Sequence, residues 1–189
     1  EAGRMELELT QVPMQAVFED ILRILSPRAM EGRVEMLVDV PQACVVTADR
    51  RALKQVLINL MSNAIKFSPA GSQIAVRAQR TPTGGIAISV KDNGPGIPAH
   101  EMEAALGAFS RGSFASKKAI DGAGLGLPIV KGLMEIHGGS IEIHSEPGNG
   151  TEVTVTFPAG RVLDGPRGEV MAGSNVATES QRKLIAITG

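Results

Sequence analysis

The spacing of hydrophobic residues divides the chain into predicted helices and strands. Apolar residues recur at helical spacing over 13–32, with Pro13 in the first turn, and again over 49–67, so both segments are predicted amphipathic helices. Asp49 is suited to cap the second helix, because its carboxylate can accept from the free N–H groups of a first turn. The expected buried faces carry Ala16, Val17, Ile21, Ile24 and Leu25 in the first helix, and Leu53, Val56, Leu57, Leu60, Met61, Ala64 and Ile65 in the second.

Other segments alternate apolar and polar residues and are predicted strands, so the chain is predicted to have an α+β fold. Hairpins with helices inserted between them differ from the strict strand–helix alternation of a parallel sheet. The predicted strands are 5–9, 33–40, 44–47, a hairpin of 74–80 with 86–91, and a hairpin of 140–144 with 151–157; further helices are expected over 98–106 and 127–137.

Two segments show no hydrophobic period. Residues 108–125 are polar and rich in Gly, Ser and Lys, which is typical of a mobile loop. Residues 159–182 also lack a pattern, whereas 184–188 resemble an edge strand. We therefore expect 159–189 to be a C-terminal tail that is partly ordered at most.

Composition excludes several classes of function. The 189 residues carry 19 basic and 20 acidic side chains, a net charge of −1, so bulk charge does not favour nucleic-acid binding. Tyr and Trp are absent, which argues against stacking on single-stranded bases. No apolar run approaches the roughly 18 residues that a membrane span needs, so no membrane contact is expected. The single cysteine, Cys44, is interpreted as a small buried hydrophobe, and cytoplasmic localisation is expected.

Three polar side chains share one face of the second predicted helix. Asn59, Asn63 and Lys66 are spaced i, i+4 and i+7, which places them together. One interpretation is a solvated face. The other is a ligand site, because a carboxamide oxygen can enter a Mg²⁺ coordination sphere and a lysine can meet phosphate as a point charge.

Two glycine-containing segments are candidates for contact with a flat, phosphorylated ligand. Asp92 ends a predicted strand, and its carboxylate could accept from an amino group such as that of adenine, while Gly94 and Gly96 allow close backbone approach. A plain turn is the alternative. Residues 122–127 open a helix on glycines, where free N–H groups favour phosphate. A polar loop precedes this helix, so it is no dinucleotide fingerprint, and the chain lacks the Gly-Lys pair of a P-loop.

Taken together and in order, these segments resemble a known family. The chain is similar to the catalytic, ATP-binding domain of bacterial sensor histidine kinases, in the superfamily of gyrase, Hsp90 and MutL, over residues 1–158. Residues 106–133 are most similar to alphaproteobacterial cell-cycle kinases of the PleC/DivJ type. The motifs that carry the resemblance are QVLINLMSNAIKFSP, DNGPGIP, AFSRGS, GAGLGLPIVKGLMEIHGG and GNGT.

The resemblance implies a fold and a domain organisation. The fold is a two-layer α/β sandwich of the Bergerat type, with a mixed, mostly antiparallel sheet, helices on one face and a mobile lid over ATP at about 108–123. Residues 1–10 correspond to the end of a dimerisation-domain linker and a first strand, and 11–158 to the catalytic domain. Leu106 departs from the family, which usually has Phe there, and this affects the docking of the lid.

The resemblance also implies the roles of individual residues. Asn63 matches the Mg²⁺ ligand, Phe67 the aromatic residue beside adenine, and Asp92 the reader of the adenine amino group. Catalytic roles fall on Asn59, Lys66 and Arg111, the last two near the phosphates. The remaining ATP-binding positions are Gly94, Gly96, Ile97, Gly124, Leu125, Gly126, Leu127 and Thr151.

Asn59 stands where the gyrase-like and Hsp90-like ATPases have a glutamate that activates water. A carboxamide cannot accept a proton in that role, so phosphoryl transfer to a protein is expected rather than hydrolysis. His100 lacks the Arg and Pro that follow a phosphoacceptor histidine, His137 is expected to complement a helix dipole, and His144 to be an ordinary strand residue.

The acceptor histidine is therefore expected on a dimerisation domain outside this chain, with a response regulator downstream and a monomeric catalytic domain. The alternatives are a nucleotide-binding regulatory module without phosphotransfer, and a serine kinase of the anti-sigma-factor type.

Overall fold

The computed structural model describes residues 6–41, 44–102, 126–164 and 182–187. Its three main helices are α1 (Met14–Gly32), α2 (Arg50–Phe67) and α3 (Gly126–Ile136). A 3₁₀ turn spans Ala159–Arg161, and residues 99–102 are also helical. The strands are β1 (Leu9–Pro13), β2 (Glu35–Pro41), β3 (Cys44–Asp49), β4 (Gln73–Arg80), β5 (Ile86–Lys91), β6 (Ser140–Ser145), β7 (Thr151–Phe157), β8 (Val162–Asp164) and β9 (Arg182–Ile187).

The strands form a six-stranded sheet in the order β6-β7-β5-β4-β2-β9 and a three-stranded sheet in the order β1-β3-β8. Only the β2–β4 pair is parallel among the described strands. Both predicted hairpins are confirmed, and β9 is an edge strand close to the predicted position. The fold is therefore the mixed, mostly antiparallel α+β arrangement that the sequence predicts.

One face of the large sheet packs against the helices. On β4, for example, Ile74 and Val76 are buried, whereas Arg77 is exposed. The core between sheet and helices includes Phe18, Leu57, Met61, Ile88 and Phe157. Burial of this apolar area is the dominant stabilising contribution.

The buried face of the first helix contains the predicted Val17, Ile21 and Leu25 but is shifted away from Ile24. Ile24 is 54% exposed, whereas Phe18 and Leu22 are buried beside Val17 and Ile21. On a helical wheel Ile24 lies about 100° from the centre of the buried stripe, so it points to solvent. The prediction of Ile24 as a core residue was wrong.

The first strand also differs from the prediction. It runs over Leu9–Pro13 instead of 5–9, because it pairs with β3 in the register Leu9↔Asp49 to Pro13↔Val45. Pro13 precedes α1 as its N-cap residue and is not part of the first turn. Only Val12 of this strand is buried, so alternation along the sequence carried little information about its position.

Asp49 caps α2 as predicted. Its Oδ1 accepts from the N–H groups of Arg51 and Ala52 at 2.9 and 3.0 Å. These donors, that of Ala52 foremost, hold the pKa of Asp49 below its ordinary value. The backbone N–H of Asp49 donates to Nε2 of His137 at 3.1 Å, and Nδ1 of His137 donates to the Leu133 carbonyl at 2.7 Å. His137 therefore joins the end of α3 to the start of α2, a role beyond the predicted dipole interaction.

Burial at Cys44 gives a prediction about chemical reactivity. Burial raises the pKa of the Cys44 thiol to about 11. Since the thiolate is the reactive form, alkylation by iodoacetamide at mildly alkaline pH should be about 100-fold slower in the native protein than in the unfolded chain. Mass spectrometry of alkylated samples along a urea titration measures this. Labelling that is complete well before unfolding would contradict it.

Within the described part of the chain, no helix is long and apolar enough to cross a membrane.

Candidate functional site

Asp92 is the buried polar residue at the carboxyl end of β5. It is 8% exposed, and its Oδ1 accepts from the backbone N–H groups of Gly94 at 2.8 Å and Thr151 at 3.2 Å. Among the described residues, none donates to Oδ2. One carboxylate oxygen therefore fixes the loop, and the other has no donor within the described part of the chain. Burial raises the pKa of Asp92 above its ordinary value, although the two N–H donors oppose that effect.

The turn after Asp92 packs directly on the turn between β6 and β7. The Gly148 N–H donates to the Pro95 carbonyl at 2.8 Å. Gly96 and Gly150 have φ of +73° and +80°, and a Cβ added to either would overlap backbone of the facing turn, at Glu146 and Asp92 respectively. Both positions therefore require glycine, because a side chain would separate the two turns.

Ser145 joins the same two turns, and the sequence analysis missed it. The Ile97 N–H donates to Oγ of Ser145 at 2.8 Å, and Oγ lies 3.0 Å from the Gly150 carbonyl and 2.9 Å from Oγ1 of Thr151. Ser145 and Thr151 are directly paired across the β6–β7 hairpin. That register follows from the predicted hairpin, so a cross-strand Ser–Thr pair was the available signal.

The polar face of α2 meets the start of α3. A Cβ added to Gly126 would lie 2.9 Å from Nδ2 of Asn63, so the first residue of α3 rests on the Asn63 carboxamide. The Gln55 amide donates to Oδ1 of Asn59 at 3.0 Å, while Nδ2 of Asn59 is buried with no hydrogen-bond partner among the described residues. The structure thus brings together the Asn63 carboxamide and the glycine-opened helix that the sequence indicated separately. Leu127 packs partly buried against the core.

The end of α2 also lies beside the Asp92 turn. A Cβ on Gly94 would be 2.8 Å from the Phe67 carbonyl oxygen. The Phe67 ring is 46% exposed, and Nζ of Lys66 lies 5.1 Å from its centroid. An exposed aromatic residue and a lysine therefore lie at the end of α2 that meets the Asp92 turn.

Several predicted positions fall outside the described residues. These are Arg111, Gly124, Leu125, Leu106 and the predicted lid at 108–123.

Comparison with known proteins identifies relatives of the whole arrangement. Residues 48–161 match the family model described as histidine kinase-, DNA gyrase B- and HSP90-like ATPase. The chain is 40% identical over 161 residues to the non-motile and phage-resistance protein of Caulobacter vibrioides, covering 84% of this chain and 19% of that protein. It is 31% identical over 175 residues to the cell-division control histidine kinase PdhS of Brucella anthropi, covering 86% and 16%.

A solved structure is also similar. Full-length ShkA in complex with AMPPNP superposes with a TM-score of 0.71 at 31% identity, covering 87% of this chain and 34% of that one. The chain spans less than a fifth of the length of the two curated relatives, 19% and 16%.

Proposed function

Because the chain belongs to the family of histidine kinase-, DNA gyrase B- and HSP90-like ATPases, we propose that it binds ATP between Asp92 and the start of α3. Within a longer sensor histidine kinase it would donate the γ-phosphoryl group to a histidine of a dimerisation domain. The observation that carries the proposal is that α2 contacts both parts of the site: its Asn63 carboxamide lies against Gly126, and its Phe67 carbonyl lies against Gly94 in the turn that Asp92 holds. The AMPPNP bound by ShkA, an ATP analogue, supports it.

At the base end, Asp92 accepts from the exocyclic amino group of adenine through Oδ2. Burial strengthens this hydrogen bond, because water competes poorly for the carboxylate. The exposed Phe67 residue offers an apolar surface to the base, while Ile97 follows the glycines of the Asp92 turn and Thr151 begins β7 on the facing hairpin. Gly94 and Gly96 let the Asp92 turn approach the Phe67 carbonyl and Glu146 closely, which holds Asp92 in place for the base.

At the phosphate end, the described residues fit a Mg²⁺–triphosphate group. Asn63 provides a neutral carboxamide oxygen, a hard ligand that Mg²⁺ accepts together with phosphate oxygens and water. When bound, Mg²⁺ would neutralise charge that develops on the transferred phosphoryl group. Gly126 and Leu127 begin α3, where free N–H groups attract phosphate. By family resemblance, Gly124 and Leu125 extend this N–H surface, and Lys66 and Arg111 approach the γ-phosphate.

The asparagine at position 59 favours transfer of the phosphoryl group over hydrolysis of ATP. Its Oδ1 accepts from Gln55, and a carboxamide has no basic site with which to activate water. Its Nδ2 is buried with no hydrogen-bond partner among the described residues and therefore retains a donor that the bound nucleotide could use. Catalysis would therefore depend on positioning and charge stabilisation.

The acceptor is proposed to be a histidine of the dimerisation domain, with a response regulator acting after it. The described histidines are poorly suited to the role. His137 is buried and hydrogen-bonded through both ring nitrogens, and His100 lies beside Glu101 at 3.6 Å on the surface.

A reconstituted transfer assay tests this function. The chain is incubated with Mg²⁺, γ-labelled ATP and the dimerisation domain of its parent kinase, and acid-labile, alkali-stable phosphate is expected on the partner. Asn63→Ala should reduce the transfer rate by about 100-fold, since it removes a charge-stabilising contact at the phosphates. The control is Asn149→Ala, a turn residue that bonds only Glu146 among the described residues. Acid-stable phosphate, or release of free phosphate faster than transfer, would contradict the proposal.

The raised pKa of Asp92 predicts a pH dependence of ATP affinity. Protonation turns an accepting oxygen into a donor, so affinity should be complete above the pKa and lost as pH falls through it. Because burial places that pKa above the ordinary aspartate value, the loss should begin at less acidic pH than a solvated aspartate would give. Calorimetric titrations from neutral to mildly acidic pH measure this dependence. The Asp92→Asn variant is the control, because any pH dependence of its ATP affinity comes from protonation of the nucleotide. Parallel profiles in the two proteins would contradict this assignment.

A further inference from the structure

The hydroxyl group of Ser145 makes three polar contacts at once. It accepts from the Ile97 N–H at 2.8 Å, lies 3.0 Å from the Gly150 carbonyl oxygen, and lies 2.9 Å from Oγ1 of Thr151. A serine hydroxyl has a single proton to donate and two lone pairs to accept with. The three contacts therefore use its complete hydrogen-bonding capacity.

The direction of each bond follows from the chemistry of the partners. A carbonyl oxygen can only accept, so the Ser145 proton goes to Gly150. The contact with Thr151 is then a hydrogen bond only if the Thr151 hydroxyl donates to Ser145. The opposite direction would leave the part-buried Gly150 carbonyl without the serine proton, which is unfavourable.

This direction determines what Thr151 can offer to a ligand. Its proton is held by Ser145, so Oγ1 presents lone pairs alone. Its backbone N–H is also committed, because it donates to Oδ1 of Asp92. The carboxylate of Asp92 and the hydroxyl of Thr151, which lie together at the ends of β5 and β7, are therefore both acceptors.

We propose that Ser145 is a positioning residue for base specificity: it fixes the polarity of the Thr151 hydroxyl, so that the pocket selects purines with an amino group at position 6 and rejects purines with a carbonyl there. The proposal rests on ATP binding at Asp92, as described above. A 6-amino group brings donors to an all-acceptor surface, whereas a 6-oxo group brings an acceptor to the same position and moves the donor of the base to N1.

Removing Ser145 should relax this selection. In Ser145→Ala the Thr151 hydroxyl can rotate and donate to a ligand oxygen, so a 6-oxo purine becomes acceptable at that position. Asp92 still favours the amino group, and part of the preference should remain. We expect the ratio of the dissociation constants for inosine triphosphate and ATP to fall by about tenfold, the effect of one misdirected hydrogen bond.

A double-mutant cycle tests the proposal. Dissociation constants for ATP and inosine triphosphate are measured by calorimetry, with thermal unfolding as a check of folding, in the wild type, Ser145→Ala, Thr151→Val and the double variant. Thr151→Val removes the hydroxyl at nearly constant shape, so Ser145→Ala should no longer change the ratio in that background. Ser140→Ala is the matched control, because Ser140 is an exposed serine at the other end of the same strand, and it should leave the ratio unchanged.

The outcomes are distinct. Equal loss of affinity for both nucleotides in Ser145→Ala would show that Ser145 only holds the turns together, and a ratio change that persists with Thr151→Val would show that it acts by another route. Either result overturns the proposal while ATP binding stands.

If Ser145→Ala does not fold, a ratio of dissociation constants that is unchanged by Thr151→Val alone overturns the proposal too. A wild-type chain that binds neither nucleotide would instead refute the proposed function.

Discussion

Asp92→Asn is expected to weaken ATP binding by about 100-fold, since a hydrogen bond to a charged group contributes roughly 1.5–3 kcal/mol and the variant adds a repulsive contact. The amide oxygen can still accept from the N–H groups of Gly94 and Thr151, which keeps the turn in place. The NH₂ group then occupies the position of Oδ2. It faces the adenine amino group as donor against donor.

The same substitution should not destabilise the protein at neutral pH. Because the pKa of Asp92 is raised, folding favours its protonated form. The contribution of Asp92 to stability is therefore greatest below the pKa that it has in the unfolded chain, and it falls as pH rises through the pKa that it has in the folded protein. The Asp92→Asn variant cannot ionise at this position and does not lose this stability. Its free energy of unfolding at neutral pH should therefore equal or exceed that of the wild type. Urea titration measures the free energy of unfolding of the two proteins, and calorimetry measures their ATP affinity. Unchanged ATP affinity, or lost affinity with lost folding, would contradict the role of Asp92.

Gly150→Ala is expected to have the second large effect. The alanine would have to adopt φ near +80°, and its Cβ would overlap the carbonyl group of Asp92. The left-handed conformation costs about 1–2 kcal/mol, and separation of the two turns should bring the total to about 3 kcal/mol or more. Since the moved backbone carries Asp92 and Thr151, ATP binding should be lost as well.

Gly148→Ala is a matched control in the same turn. Gly148 has φ of +84°, yet a Cβ there would meet nothing within 4 Å among the described residues. This variant should lose about 1–2 kcal/mol for the backbone conformation and retain ATP binding. The difference in stability and ATP affinity between the two variants therefore measures the effect of the close contact between residue 150 and the Asp92 backbone. Equal losses of stability and affinity in both would show that this contact is unimportant.

Local signals along the sequence were sufficient for much of the fold. Asp49 was predicted to cap α2 because an acidic residue preceded a helical period, and its carboxylate accepts from the expected N–H groups. The hairpins were predictable because each alternating pair flanks a turn. The parallel pairing of β2 with β4 was not, since strands separated by a whole helix have no local register signal.

The site was predictable in its separate parts but not in its connections. The Asn63 carboxamide and Gly126 were each indicated by local chemistry, whereas their contact depends on the packing of α3 on α2. Ser145 was missed because a serine at a strand end is ordinary until its neighbours are known. The bond of His137 to Asp49 was missed for the same reason, since Asp49 lies 88 residues away in the sequence.

The central claim is that this chain binds adenine nucleotides at Asp92. The most direct measurement is a calorimetric titration of the wild-type chain with Mg-ATP, repeated in parallel with Mg-GTP. The structure predicts one saturable ATP site and binding of GTP weaker by about 100-fold, since the 6-oxo group of guanine meets the carboxylate of Asp92 as acceptor against acceptor. No heat of binding with ATP, or equal affinity for the two nucleotides, would contradict the claim.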